Sequence, residues 1–300
     1  MSAFSRNGRA LQALLFIFLS VTVSMLVIYV VKRGAGNEKR EISRLWEAGE
    51  YDKVFELSKN ALFQKPMDNF LLIINGFSAY QLGISQINSQ NTLFFIEECV
   101  FSLRKALINK ASSSDGRVYY VLGKAYVYKG DAFSDLAIKY LLMAEKRNFH
   151  ARDIPEYLGL AYAASGDYRN SVAAFSKAFV PDAQPSDSLL LSIARSYTAM
   201  GEYDMALGYL KRCVEISPDS KSIAVARALL AEVYKLSGDY KNAEQQLFII
   251  LTDAGENAET RFQLGELYFL QGDTTKARAE WRNAYRQDPV HARARARLNI

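Results

Sequence analysis

The sequence has little of the material from which most catalytic and metal centres are built. Its 300 residues include two cysteines and two histidines. Cys99 and Cys213 lie far apart and belong to no CxxC pair, so the sequence indicates neither a disulfide framework nor a zinc site. His150 and His291 leave few side chains for acid–base or metal chemistry near neutral pH.

A phosphate-binding loop and a nucleic-acid-binding pattern are missing as well. The nearest match to a P-loop, Gly123 followed by Lys124, lacks the glycine five residues earlier and the serine or threonine that should follow. The basic residues are not interleaved with aromatic residues as they are in RNA-recognition motifs. The sequence therefore predicts a protein that is not an enzyme, with no catalytic residues, cofactor, metal, small-molecule substrate or nucleic acid partner.

The net charge of +5 comes from the two ends of the chain. Residues 1–33 contain four basic and no acidic residues, and residues 276–300 contain seven basic and two acidic residues. The surplus is therefore no sign of nucleic-acid binding. Arg293, Arg295 and Arg297 form a predicted basic patch for an acidic partner or anionic lipid headgroups, with a solvated helix end as the alternative.

One uncharged apolar stretch, ALQALLFIFLSVTVSMLVIYVV, occupies residues 10–31. As a helix it would be about 33 Å long, which matches the hydrocarbon layer of a bilayer. A cleavable signal peptide has a shorter apolar segment. We therefore predict an uncleaved transmembrane signal anchor, preceded by a short basic tail at residues 1–9 and followed by a linker at residues 32–36. A buried core helix is the alternative.

Two opposing signals bear on the orientation of the predicted anchor. Five basic residues follow the span before residue 45 and only two precede it, which favours a cytoplasmic C-terminal domain. Long C-terminal domains, however, cross the membrane largely regardless of charge, and the short tail before the anchor is already basic. We expect the domain after the anchor to lie outside the cytoplasm, with a cytoplasmic domain as the alternative.

From residue 35 onwards the sequence repeats with a period of 34 residues. Leu230, Leu264 and Leu298 are spaced by this period, and the segments YLGLAYAASGDYRNSVAAF and QLGELYFLQGDTTKARAEW share its frame. The frame resembles the tetratricopeptide repeat (TPR) family, in particular its membrane-anchored bacterial members. The family pattern is most complete at Leu264, Gly265, Tyr268, Gly272, Asp273, Ala277, Trp281, Ala284 and Pro289. The resemblance implies an all-α fold, in which a single N-terminal transmembrane helix precedes an α-solenoid, a right-handed superhelix of helix-turn-helix repeats.

The repeat frame divides residues 37–291 into about seven repeats. The first is degenerate, and the second carries an insertion around ISQINSQNTLFF. The predicted boundaries are 35–68, 69–115, 116–151, 152–186, 187–223, 224–257 and 258–291, followed by a C-terminal capping helix at 292–300. In the second repeat we expect Phe94, Phe95 and Phe101 to pack in the core, with a partner-binding role as the alternative.

Small residues occur where this architecture needs them. Gly166, Gly201, Gly238 and Gly272 are predicted to end helices in a left-handed conformation, and the acidic residue after each suits the N-terminal end of the next helix. A small residue also recurs on the first helix of the last five repeats, at Gly123, Gly159, Ala194, Ala231 and Gly265. These small side chains are predicted to let the two helices of a repeat approach closely.

In the TPR family the first helix of each repeat usually lines a concave groove that binds peptides. By resemblance, the predicted groove residues are Arg117, Tyr120, Lys124, Tyr128, Tyr157, Arg195, Glu232, Lys235, Phe262, Glu266 and Phe269. Aromatic rings and charges of both signs suit a protein or peptide segment, because rings supply contact area and charges set the register. For part of this set, solvated surface is the alternative.

These features together predict a single-pass protein of the cytoplasmic (inner) membrane that acts as a scaffold or adaptor for protein–protein interactions. By resemblance to anchored bacterial proteins, the expected setting is the assembly of a cell-envelope, export or flagellar complex. The alternative is a cytosol-facing membrane receptor or co-chaperone for protein import or folding.

Overall fold

The computed structural model describes residues 37–86, 89–109, 112–179 and 183–300. In these ranges every regular element is an α-helix or a short 3-10 turn, which confirms the predicted all-α fold. The helices are α1 (residues 37–47), α2 (Tyr51–Gln64), α3 (Asn69–Ser85), α4 (Ser89–Ala106), α5 (Gly116–Lys129), α6 (Ser134–Lys146), α7 (Ile154–Ala164), α8 (Tyr168–Ala178), α9 (Asp187–Ala199), α10 (Tyr203–Ile216), α11 (Ser220–Leu236), α12 (Tyr240–Asp253), α13 (Ala258–Leu270), α14 (Thr274–Gln287) and α15 (Ala292–Leu298).

The predicted membrane anchor at residues 10–31 lies outside the described residues. Among the helices that are described, none combines the length and the apolar character needed to cross a bilayer. The anchor therefore stays a prediction.

The helices form two compact units, one ending at Tyr128 and the other beginning at Lys129. In both units, helices that follow one another in the chain pack together, as α3 does against α4 and α13 against α14. Packing between sequence neighbours is typical of helical solenoids, in which each repeat contacts only the repeats beside it.

The tight turns between paired helices of the second unit depend on glycine. Gly166 and Gly272 have φ angles of 81° and 83°, in the left-handed region that residues with a β-carbon rarely adopt. The glycines of the two intervening turns have the same conformation, so the prediction for these four turns is confirmed. After the last turn, the carboxylate of Asp273 accepts a hydrogen bond from the backbone N–H of Lys276 at 2.9 Å and caps α14.

Two helix pairs of the second unit approach closely because a glycine faces an aromatic ring. A β-carbon on Gly159 would lie 2.5 Å from the ring of Phe175, and one on Gly265 would lie 2.4 Å from Trp281. Carbon atoms do not approach so closely in a packed core, so only glycine allows these contacts of α7 with α8 and of α13 with α14. The core around Trp281 extends into α15 through the buried side chain of Ala294.

A buried amide reinforces the first unit. Asn75 Nδ2 donates to Ser58 Oγ at 3.0 Å and to the carbonyl oxygen of Phe55 at 3.3 Å, and Asn75 Oδ1 accepts from Ser102 Oγ at 2.8 Å. These bonds satisfy a side chain that has almost no access to water. They also join α2, α3 and α4 at one point.

The outer face of α4 differs from the expectation for the second repeat. Phe94 and Phe101 are exposed, so the expectation that they pack in the core is wrong. Phe95 does pack, edge-on against Phe55 with ring centroids 5.4 Å apart. Helical geometry explains the difference. Phe94 and Phe101 are seven residues apart and lie on the same face of α4, whereas the buried Leu103 lies on the opposite face.

Candidate functional site

A cleft of about 630 Å³ opens between α11, α13 and α15 in the second unit. Its walls combine charged side chains with exposed apolar ones. The residues that line it are Glu232, Lys235, Phe262, Gln263, Glu266, Phe269, Leu270, Arg293, Ala296 and Arg297. This C-terminal cleft therefore brings together five residues of the predicted groove and two of the predicted basic patch.

Two ion pairs join α15 to α13 along the cleft. Arg297 binds Glu266 through two hydrogen bonds, from Nε to Oε1 at 2.8 Å and from Nη2 to Oε2 at 2.5 Å. The bond to Glu266 raises the pKa of the Arg297 guanidinium, which stays protonated throughout the physiological range. Arg293 likewise donates to Glu259. Two arginines of the predicted basic patch thus form ion pairs with carboxylates of their own chain.

The same arginines cover aromatic rings of α13. The guanidinium carbon of Arg293 lies 4.7 Å from the ring centroid of Phe262, a ring that is itself buried. The guanidinium carbon of Arg297 lies 5.0 Å from the centroid of Phe269. Stacking of this kind orders the guanidinium groups. Phe269 and its neighbour Leu270 remain exposed at the mouth of the cleft.

The lining of the cleft combines paired charges with apolar contact surface. On α11, Lys235 donates to Glu232, so the charges of this wall are balanced as well. The lining side chains include no serine, cysteine or histidine that could act as a nucleophile or a general base. What they offer is apolar contact at Phe269 and Leu270, together with ordered hydrogen-bond donors and acceptors.

Glu259 connects the start of α13 with the start of α15. Its carboxylate accepts hydrogen bonds from Arg293 and, at 3.0 Å, from Gln263, and it lies 3.3 Å from Nε2 of His291. Burial alone raises the pKa of Glu259. The hydrogen bonds from these three partners and the positive charge of Arg293 outweigh burial, and the net effect is a pKa below the ordinary value.

Acid is expected to loosen α15 through Glu259. A carboxylate whose pKa is lower in the folded than in the unfolded chain stabilises the fold above the unfolded pKa, about 4.3 for glutamate. That contribution is lost as the pH falls through the lower, folded value. Because Glu259 is half exposed, its contribution at neutral pH should be at most about 1 kcal/mol.

Chemical denaturation of the wild type and of Glu259→Gln across the acidic range measures this contribution. The difference between their free energies of unfolding should be present at neutral pH, shrink as the pH falls below about 4.3, and disappear only below the lower pKa of Glu259 in the folded protein. A difference that does not change on acidification would contradict the role given to Glu259.

Four predicted groove residues lie on α5 in the first unit. Lys124 is only 9% exposed, and its Nζ donates to Tyr120 Oη at 2.9 Å and lies 5.5 Å from the ring centroid of Tyr80. Tyr128 meets the same ring edge-on at 6.1 Å, and Arg117 is exposed in an ion pair at the start of the helix. Tyr80, Tyr120 and Tyr128 thus form an aromatic cluster around Lys124. The role of the four α5 residues in a binding groove stays a prediction.

The other predicted site residues lie outside the lining of the C-terminal cleft. Tyr157 on α7 is half-buried, and Arg195 on α9 and Arg295 on α15 are exposed. Conversely, the cleft contains Gln263 and Leu270, which the sequence did not single out. The repeat frame carried a signal for Leu270, because the equivalent position one repeat earlier is also an exposed leucine.

Family models identify repeats in the second unit. Two models, both described as tetratricopeptide repeat, match residues 186–247 and residues 259–289. The first match covers α9 to α11 and part of α12, and the second covers α13 and α14. No curated protein matches the chain.

Solved structures of TPR proteins share the fold. The C-terminal part of a TPR repeat-containing protein from Cytophaga hutchinsonii has a TM-score of 0.60 at 18% identity, over 87% of this chain and 100% of that one. A tetratricopeptide repeat protein from Parabacteroides merdae has a TM-score of 0.55 at 15% identity, over 88% and 96% of the two chains. PilW, a widely conserved type IV pilus biogenesis factor, has a TM-score of 0.58 at 18% identity, over 74% and 98%. Residues 186–247 and 259–289 are thus tetratricopeptide repeats, and the described part of the chain has an all-α, TPR-solenoid-like fold.

Proposed function

We propose that this protein is a membrane-anchored scaffold that holds a segment of another protein in its C-terminal cleft. The observation that carries the proposal is the combination, in one open cleft, of exposed apolar side chains with ordered guanidinium groups. The presence of tetratricopeptide repeats supports it, because this fold typically serves protein interaction rather than catalysis.

The expected partner segment presents an apolar side chain beside a hydrogen-bond acceptor. Phe269 and Leu270 would cover the apolar side chain, and buried apolar area supplies much of the affinity of such contacts. Arg297 uses two of its N–H groups on Glu266 and can offer others to a backbone carbonyl or a carboxylate. Because Glu266 already fixes the guanidinium, binding costs little further side-chain entropy.

Replacing Phe269 with alanine is expected to weaken binding of the partner at least about tenfold, because the change removes an exposed ring from the mouth of the cleft. Phe248 on α12 is a matched control, since it is 43% exposed against 44% for Phe269 and does not line the cleft. The full-length wild type, Phe269→Ala and Phe248→Ala proteins would be immobilised in detergent and incubated with an extract of their own cells. Bound proteins would be quantified by mass spectrometry.

The partner is the protein that wild type and Phe248→Ala recover equally and that Phe269→Ala loses. Circular dichroism should show the same helix content for all three proteins. Two results would count against the proposal: no protein recovered above background, or one recovered equally by Phe269→Ala.

We place the scaffold at the cytoplasmic (inner) membrane, anchored through residues 10–31, with its repeats outside the cytoplasm. The length of the apolar stretch supports the anchor. The fold shared with PilW, a pilus biogenesis factor, supports a role in assembling a cell-envelope, export or flagellar complex. The alternative is a cytosol-facing receptor or co-chaperone for protein import or folding, which would use the same cleft on the opposite side of the membrane.

A reporter enzyme fused after Ile300 distinguishes the two orientations. A reporter that matures only outside the cytoplasm should be active, and one that works only in the cytoplasm should be inactive. The reverse pattern would favour the receptor. Recovery of the full-length chain in the soluble fraction would exclude the anchor itself.

A further inference from the structure

The most exposed apolar side chains of the first unit gather at one end of its helices. Among its described large apolar residues, Phe63 is 80% exposed, Ile108 is 74% exposed and Phe101 is 64% exposed. Phe63 lies in the last turn of α2, Phe101 in the second half of α4, and Ile108 two residues after α4. We call these three residues the apolar edge.

Contacts between α2 and α4 place the three residues towards the same end of the two helices. Phe55 of α2 meets Phe95 of α4, with ring centroids 5.4 Å apart, and four residues later Lys59 pairs with Glu98 at 3.3 Å. Residue numbers thus increase in the same direction along both helices, which are parallel. The C-terminal end of α2, with Phe63, therefore lies beside the C-terminal half of α4.

The described chain begins at this same edge. Lys65, just after α2, pairs with Glu38 in the first turn of α1 at 2.8 Å. Asp68, just before α3, pairs with Lys39 at the same distance. Two ion pairs therefore hold the start of α1 against the connection between α2 and α3, and the described chain enters the first unit next to the apolar edge.

We propose that the apolar edge rests on the surface of the lipid bilayer. The inference depends on the proposed membrane anchor at residues 10–31. Only residues 32–36 separate that stretch from α1, and even fully extended they reach about 20 Å. The edge is thus held close to the membrane surface whichever side of the membrane the domain occupies.

The composition of the edge fits an interface with anionic lipids. Arg104 and Lys105 lie in the last turn of α4, and Lys105 Nζ is 5.7 Å from the ring centroid of Phe101. Aromatic and aliphatic side chains bordered by basic residues are typical of surfaces that lie in the headgroup region. A bilayer accounts for both the charge and the attachment point, whereas a second copy of the chain would account for the exposed apolar area alone.

The test compares the membrane depths of labels at the apolar edge with that of a control label at the other end of α2. The full-length chain carrying Phe63→Cys, with a fluorophore on the new thiol, would be reconstituted in vesicles of phosphatidylcholine and phosphatidylglycerol that contain brominated lipids. Asp52→Cys is the control, because Asp52 is exposed at the opposite end of α2, about 17 Å away along the helix. The native thiols Cys99 and Cys213 are buried and should not react.

The label at position 63 is expected to lie about 5–10 Å below the headgroup surface and to be quenched several-fold more than the label at position 52. Ile108→Cys should behave like Phe63→Cys, which guards against a local disturbance at either site. Equal, weak quenching at positions 63, 108 and 52 in vesicle-bound protein would overturn the inference and leave the anchor in place.

Two other results would also overturn the inference. If position 63 were shielded from an aqueous quencher but not quenched by brominated lipid, or formed disulfides between copies, a protein would cover the edge instead. If the chain failed to associate with vesicles, both the anchor and the inference would be wrong. The assay with Phe269→Ala tests the cleft separately from all of these outcomes.

Discussion

Replacing Phe175 with alanine is expected to lower the free energy of unfolding of α7, α8 and α9 by about 3–5 kcal/mol. Phe175 is fully buried and packs with Leu189 and Ile193 of α9. On its other side its ring fills the space left by the missing side chain of Gly159 on α7. Truncation would therefore leave a cavity that touches three helices, and a glycine cannot move a side chain into it.

Phe101→Ala is the matched control for this change. It deletes the same atoms from a side chain that is mostly exposed, so in detergent its effect should stay within about 0.5 kcal/mol. Urea denaturation measures the total loss in free energy of unfolding for each variant, and hydrogen exchange shows which helices are destabilised. Equal losses for the two variants, or faster exchange spread evenly over both units, would contradict the packing described for Phe175.

Alanine at Gly265 and alanine at Gly208 are expected to shift stability in opposite directions. A β-carbon at Gly265 would lie 2.4 Å from Trp281 and 3.1 Å from the carbonyl oxygen of Ala277. Trp281 is buried and cannot withdraw without disturbing the core, so the cost should be about 1–3 kcal/mol. Gly208 is also helical but has no atom within 4 Å of the same position. There, alanine should stabilise α10 by about 0.5–1 kcal/mol.

Thermal and urea denaturation of the two glycine variants measures both effects. The sign is the informative result, because helix propensity alone predicts that both changes stabilise. If Gly265→Ala were as stable as the wild type, the close contact between α13 and α14 would not be a constraint. Gly265→Ala should also weaken partner binding, since α13 carries Phe262, Glu266 and Phe269.

The repeat frame predicted the parts of the fold that depend on local geometry. A turn that needs positive φ requires glycine, as at Gly166 and Gly272, and a helix that must approach a tryptophan requires glycine at Gly265. The turn glycine recurs in four successive repeats, and a glycine or alanine recurs at the position of Gly265, so a period of 34 residues reveals both. The frame also located five residues of the C-terminal cleft, because equivalent positions of successive first helices face the same side.

Contacts that depend on how two helices are placed relative to each other were harder to predict from the sequence. Phe94, Phe95 and Phe101 are the same residue type in the same segment, yet Phe95 packs edge-on against Phe55 of α2 while Phe94 and Phe101 are exposed. The insertion before α4 breaks the 34-residue register, so the repeat pattern could not predict which face of α4 is buried. The pairing of Arg297 with Glu266 was likewise hidden, because the two residues lie 31 positions apart and belong to an incomplete repeat and its predecessor. Spacing alone predicted a basic patch there, whereas the structure shows paired charges at two of its three arginines.

The position of α15 brings the residue Ile300 close to the C-terminal cleft. Arg297 lines the cleft and Ile300 follows three residues later, a distance of at most about 11 Å along an extended chain. A peptide joined to Ile300 through a short flexible linker would therefore be present at the cleft at an effective concentration in the millimolar range. Tethering of this kind makes binding intramolecular. Segments whose affinity for the cleft is too low for capture from solution would then still occupy it. Their relative affinities could be ranked by how well each tethered segment excludes a free competitor peptide.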